Sequence, residues 1–265
     1  MKKIHKKWMI LAGTVTAAAV VVTGVLIWRA KKKTQSQPDY HQQLAAAVQK
    51  TEERPGFVIQ LTSAGTLVID KASRTVQTTG YLYDASDSDY AAIYVHTSSS
   101  TENAGAEDFD VTVAMYCDEK GVFDNTGSTP KKMDMTRDQF LEVVDGYGLY
   151  HYDVADATEI TYKDYSSEEH KGGQFSVTLR KPTDAVLEAY AGVLAEGTGE
   201  PVTKADLKVV SAYVLYSVYD GELVTQTSCF TVEYKMRDGR TATYEAMNQI
   251  AYMDSLEDAI EGKGQ

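Results

Sequence analysis

"AYVLYSVYDGELVTQTSCFTVEYKMRDGRTATYEAMNQIAYM", residues 212–253, holds three runs rich in Tyr, Val and Thr, separated by Asp220-Gly221 and Asp238-Gly239. Asp-Gly accepts the positive φ of a two-residue turn whose twist matches antiparallel strands, so the stretch predicts three long strands in a meander. Phe230, Val232, Tyr234 and Met236 alternate with Thr231, Glu233 and Lys235, the mark of a strand with one face in a core.

The same signal extends upstream. In "GQFSVTLR" (173–180), Phe175, Val177 and Leu179 alternate with Ser176, Thr178 and Arg180, and "EITYKDYSS" (159–167) reads as a neighbouring strand. Nearer the N-terminus, "FVIQLT" (57–62), "TLVID" (66–70), "TVQTTGYLY" (75–83), "YAAIYVHT" (90–97) and "DVTVAMYC" (110–117) read as five further strands. "SSSTENAGAED" (98–108) is small and polar and predicts a long exposed excursion, and "CDEKGVF" (117–123) a hairpin turn through Lys120-Gly121.

Helices interrupt this pattern. "YHQQLAAAVQKTEER" (40–54) places Leu44 and Val48 on one face and stops before Pro55. "MTRDQFLEVVDGYG" (135–148) carries a capping box, Thr136 with Gln139, and Gly146 as its stop. "KPTDAVLEAYAGVLAEG" (181–197) starts near Pro182, turns Val186, Leu187, Tyr190 and Leu194 to one side, and is read as ending at Gly197. A short helix is expected at "SLEDAIEG" (255–262).

The fold class that follows is α+β: a large curved antiparallel sheet with helices packed on one face. The order of helix, meander, helical interruption and the Asp-Gly-linked strands of residues 214–247 resembles the half-barrel of the LolA-type lipoprotein carriers and the Gram-positive lipoproteins similar to them. The resemblance covers roughly residues 40–255 and rests on element order and turn spacing. It implies that the concave face of an incomplete barrel, plugged by helices, holds acyl chains or another apolar ligand. The residues that would line it are Phe175, Val177, Leu179, Leu215, Phe230, Val232, Tyr234 and Met236. Apart from the resemblance, the same residues read as an ordinary core. The chain departs from the family's Gram-positive members in having no cysteine near its apolar N-terminal segment where a lipid would attach; a fixed receptor, chaperone or sensor fits that departure better than a shuttle.

From Trp8 to Trp28 run 21 uncharged residues. At about 1.5 Å per residue they make a helix matching a hydrocarbon core of about 30 Å. The tryptophans stand at its two ends, and Arg29, Lys31, Lys32 and Lys33 follow. The segment is therefore read as an uncleaved signal-anchor, although Ala17-Ala18-Ala19 leaves cleavage as an alternative. Lys2, Lys3, Lys6 and Lys7 balance the four cations beyond the span, so the positive-inside rule is tied. A short leading flank followed by a long domain favours the N-terminus inside. The expected layout is a cytoplasmic flank (1–7), a single transmembrane anchor (8–28), a basic and polar linker (29–39) and an extracytoplasmic domain (40–265) at the cell membrane.

Residues 1–34 hold eight of the 26 Lys+Arg and none of the 38 Asp+Glu, which leaves residues 35–265 with a net charge of −20. So acidic a body repels nucleic acid and anionic lipid surfaces. Cys117 shares its strand phase with Val111, Val113 and Met115, whereas Cys229 shares its phase with Thr227, Thr231 and Glu233. One thiol thus faces a core and the other a polar face, and a bond between them would need a bulge; free thiols and a disulfide both stay open.

No cofactor or metal site is expected. His5, His41, His96, His151 and His170 are scattered, and the acids of "DASDSDY" (84–90) miss the calcium-loop spacing. No nucleophile-elbow, P-loop or dinucleotide motif occurs, so the chain does not read as an enzyme. "YGLYHYD" (147–153) gathers three tyrosines and a histidine suited to stacking, against the plainer reading that the 18 tyrosines reflect strand preference and a half-wet face. The expected function is a membrane-anchored extracytoplasmic binding protein for a lipid or other apolar ligand. The alternatives are a protein-interaction or assembly module of a cell-envelope complex and, third, an enzyme with a non-obvious site.

Overall fold

The computed structural model describes residues 39–53, 56–85, 90–102, 107–146, 156–167 and 171–253. The chain divides into two units, Met1–Pro38 and Asp39–Gln265, and all described residues belong to the second. The anchor read over 8–28, the string at 147–153 and the tail helix over 255–262 lie outside the described residues. Among the described residues no helix is long and apolar enough to cross a membrane.

Helix α1 (Tyr40–Glu52) leads into β1 (Gly56–Ile69), β2 (Ala72–Ala85), β3 (Ala91–Glu102), β4 (Asp110–Asp118), β5 (Gly121–Asp124) and β6 (Lys131–Lys132). Then come α2 (Arg137–Gly146), β7 (Ala157–Asp164), β8 (Gly172–Leu179), α3 (Asp184–Thr198), β9 (Leu207–Tyr219), β10 (Glu222–Lys235) and β11 (Thr241–Met253). The eleven strands form one open antiparallel sheet in the order β6-β5-β4-β3-β2-β1-β11-β10-β9-β8-β7. It consists of two meanders, β1–β6 and β7–β11, joined where β1 pairs with β11, from Val58 opposite Met253 to Ile69 opposite Ala242. A large open antiparallel sheet with helices is thus what the sequence predicts, and it fits a curved sheet.

Local chemistry sets the helix ends. Asp39 Oδ1 accepts from the Gln42 N–H at 3.1 Å and caps α1. The predicted capping box of α2 forms: the Thr136 N–H donates to Gln139 Oε1 (2.9 Å) and the Gln139 N–H to Thr136 Oγ1 (3.3 Å). Helix α3 starts at Thr183, whose side chain accepts from the Val186 N–H, and ends not at Gly197 but at Gly199. Gly199 takes the left-handed φ of 69° and returns its N–H to Ala195 O at 3.0 Å. Gly197 stays helical because it is a contact point: a Cβ there would overlap Leu67 Cδ2 of β1.

Three strand expectations change. "FVIQLT" and "TLVID" are one strand, since Ser63–Gly65 continue the pairing with both β2 and β11. "SSSTE" (98–102) is not loop but the end of β3, where hydroxyls supply polar cross-strand contacts: Thr78 Oγ1 and Thr97 Oγ1 lie 3.1 Å apart and Ser99 Oγ accepts from the Phe109 N–H. Asp220 (φ 53°) and Gly221 (φ 80°) make the expected two-residue turn. At Asp238-Gly239, however, only Gly239 has positive φ; Arg237–Gly239 form a three-residue loop closed by Met236 N–H to Arg240 O.

The helices cover one face of the sheet. Under α1 and α3, Leu44, Ala47, Val186, Leu187, Tyr190 and Leu194 pack on Phe175, Val177, Val214, Tyr216, Phe230 and Val232. Each large side chain fully buried from α3 contributes about 1.5–3 kcal/mol relative to an exposed one. Under α2, Phe140 packs on a second, smaller cluster containing Ile59, Leu61, Leu82, Ile93, Val95 and Val122. Strand phase puts both clusters on the same side: Leu61 of the smaller cluster shares its face of β1 with Leu67 of the larger, and Ile250 shares its face of β11 with Ala246 and Ala242.

Candidate functional site

Seven of the eight residues proposed to line a ligand face lie together on the helix-covered side. Phe175, Val177, Leu179, Phe230, Val232, Tyr234 and Met236 are all buried in the larger cluster. Tyr234 also donates its O–H to Glu200 Oε2 at 2.7 Å. Leu215 is the exception. It stands opposite Thr227 and Ser176 on the other face, while Val214 pairs with Val177 and Ser228 toward the helices. Tyr213, Val214, Leu215 and Tyr216 are apolar in both phases, so alternation along the strand does not decide which half points inward.

The accessible ring surface is on the opposite face, over β2–β5. Tyr81 of β2 stacks on Tyr94 of β3 with centroids 5.4 Å apart and planes at 10°. A second row runs from Tyr83 to Tyr90 (5.8 Å), Tyr116 (6.1 Å) and Phe123 (5.1 Å, 15°). Small residues make room for these rings: Ala92 stands between Tyr83 and Tyr116, and Ala114 opposite Tyr94. Gly80 allows the closest approach, for a Cβ there would overlap the Tyr94 carbonyl oxygen. The rings are half-buried and Tyr90 is 38% exposed. Burial, reinforced by neighbouring phenols, pushes the Tyr81 and Tyr90 hydroxyls above their usual pKa, so both are neutral donors at physiological pH. The surface therefore presents half-buried aromatic rings that carry neutral hydroxyls.

Sequence reasoning singled out the apolar phase of β8–β10 and passed over this face of β2–β5. The signal was present in "GYLYD" and "YAAIY", where aromatics take the phase opposite to Leu82, Ala91 and Ile93.

Other chemistry is sparse. His96 Nδ1 lies 3.2 Å from Thr112 Oγ1 and 3.6 Å from Asp110 Oδ1, so one ring nitrogen meets both groups and no relay through the ring is formed. Among the described residues no group of three or more His, Cys, Asp or Glu is placed to hold a metal. Cys117 is buried on the helix side, opposite Ala91 and Val122, and Cys229 lies on the other face between Tyr213 and Met247. Both thiols are free, and burial raises the Cys229 pKa, which keeps it a thiol rather than a nucleophile.

No family model matches the chain, and no curated protein matches it. Among solved structures, it is similar to a lipovitellin described for its lipid–protein interactions, at 6% identity and a TM-score of 0.32 over 75% of this chain and 25% of that one. The chain thus spans about a quarter of that protein's length. A DUF1329 family protein from Desulfovibrio piger is similar at 9% identity and a TM-score of 0.20, over 80% of this chain and 90% of that one. An N-terminal dehydratase from the difficidin assembly line matches at 10% identity and 0.13, over 80% and 83%. None of the three is a carrier of the LolA type, and TM-scores this low assign neither fold nor ligand.

Proposed function

We propose that the chain is a membrane-tethered extracytoplasmic binding protein for a lipid or other apolar ligand, and that the ligand surface is the aromatic outer face of β2–β5. One observation carries this reading: the half-exposed row of Tyr83, Tyr90, Tyr116 and Phe123 beside the stacked Tyr81–Tyr94 pair, on a sheet face bearing no helix among the described residues. The open sheet with helices on one side agrees with the layout that the LolA-type resemblance implies, while moving the binding surface to the other side. The uncharged run from Trp8 to Trp28 supports the tether, and the −20 charge beyond residue 34 supports a soluble body that avoids nucleic acid and anionic membrane surface.

The test is native mass spectrometry with organic extraction on residues 35–265, after a cooperative thermal melt establishes that the fragment is folded. Retention of a lipid or other apolar mass at defined stoichiometry, at least about tenfold weaker in Tyr94→Ser and Tyr116→Ser, is the expected result. A ligand-free mass that stays so after incubation with total lipid extract would overturn the lipid reading. A protein partner is then favoured, as an assembly module whose core is filled by Phe230 and Val232 and whose accessible apolar groups lie outside.

A further inference from the structure

Among the described residues the open sheet has two edges, and they differ. One is β6, only Lys131–Lys132, short and cationic, the usual way of blocking further strand addition. The other is β7, eight residues from Ala157 to Asp164, with Ile160 and Tyr162 half-buried and Glu159, Thr161 and Lys163 exposed. Its backbone polarity is fixed by its neighbour. The Tyr165 N–H donates to Gly172 O at 2.9 Å, and the Lys163 carbonyl is the atom a Cβ on Gly173 would meet. Odd-numbered residues of the regular stretch therefore bond to β8, and Ile160 and Tyr162 direct N–H and C=O away from the sheet.

We propose that β7 pairs with β7 of a second copy of this chain, antiparallel about a two-fold axis at Thr161. An axis on a residue rather than between two keeps outward-facing groups opposite one another, and of such axes only Thr161 brings Glu159 opposite Lys163 of the second copy, twice by symmetry. The same register sets Ile160 opposite Tyr162 and forms their four backbone hydrogen bonds. Tyr162 is already braced for this: its ring lies 4.7 Å from Phe175 and 5.6 Å from Tyr40. Matched opposite charges at the seam counter the −20 that the two bodies otherwise oppose to each other.

The experiment uses the full chain in the membranes of expressing cells, with mild oxidation and non-reducing electrophoresis. Residues on the axis form a non-hydrogen-bonded pair with Cα atoms about 4.5 Å apart, within disulfide reach. Thr161→Cys is expected to give a covalent dimer at least about fivefold above Glu159→Cys alone, with the wild-type chain setting the background from Cys117 and Cys229. Copies carrying Glu159→Cys and Lys163→Cys, expressed together under different tags, are expected to cross-link to each other. In the Thr161→Cys chain, Glu159→Lys should weaken the dimer and Glu159→Lys with Lys163→Glu should restore it. Cross-linking of Thr161→Cys no stronger than of Glu159→Cys overturns the proposal. So does failure of the charge exchange to restore the dimer, or trapping of a different protein at Thr161→Cys.

Discussion

The two meanders place most of their aromatic rings on opposite sides of the same sheet, with Tyr213 of β9 an exception on the outer face. In β8–β11, Phe175, Tyr216, Phe230 and Tyr234 point toward α1 and α3 and are buried there. In β2–β5, the helix side is aliphatic, with Leu82, Ile93, Val95 and Val122, and Tyr81, Tyr83, Tyr94, Tyr116 and Phe123 stand on the other face. Two helices supply enough cover to bury bulky rings, and the single α2 over the first meander anchors through Phe140 alone as a fully buried ring. The rings packed under α1 and α3 are thus structural, whereas those of β2–β5 stay half-exposed.

That contrast can be broken most forcefully from within the larger core. Phe230→Ala, in a fully buried position against Tyr190, is expected to cost about 3–5 kcal/mol, read as a lower urea midpoint at unchanged m-value. Phe140→Ala should cost less, about 3 kcal/mol, and act locally: amide exchange protection falls in β3–β5 while β8–β11 keep theirs. Equal loss in both meanders would show that they do not behave as separate halves. Gly199→Ala should lower stability by about 1 kcal/mol, the cost of a Cβ at the left-handed end of α3, with no effect on ligand retention.

On the outer face the expected order reverses. Tyr94→Ser should change stability by only about 1 kcal/mol, the scale of one aromatic pair, while reducing ligand retention about tenfold. A large loss of stability with retention unchanged would make these rings structural too.

The smallest effect concerns acid. A hydrogen bond from Lys181, with a second from Lys204, holds the Asp184 carboxyl below its ordinary pKa. A folded pKa below the unfolded value of about 3.9 gives stability that is present above that value and lost as the pH falls through the folded one. Asp184→Asn should therefore flatten the fall in melting temperature below about pH 4 and leave neutral pH nearly unchanged, because all three side chains are exposed and screened.

Much of the fold was legible because its signals are local. Thr136 with Gln139 fixes the start of α2, Asp220-Gly221 fixes one turn, and the alternation of Phe175, Val177 and Leu179 fixes the inward side of β8. Long-range geometry accounts for the differences. Gly197 reads as a helix end until Leu67, 130 residues earlier, is seen to occupy the space its side chain would need. Leu215 reads as inward because β9 is apolar in both phases, and only pairing with Ser176 and Thr227 resolves it. The aromatic face was hidden for a related reason: tyrosine suits any strand, and its value depends on whether a helix lies above it.

Among the described strands β11 is the last one made, and its pairing with β1 is what joins the two meanders, with β10 on its other side. Until Met253 can reach Val58, the first meander keeps β1 as a raw edge of 14 residues and the second keeps β10 likewise. Such closure is slow, because it joins residues at opposite ends of the domain, and open edges of this length invite pairing with the wrong chain. A protein delivered N-terminus first therefore spends its assembly time as two half-sheets waiting for one strand. Loss of β11 would leave two sticky fragments rather than a slightly smaller domain.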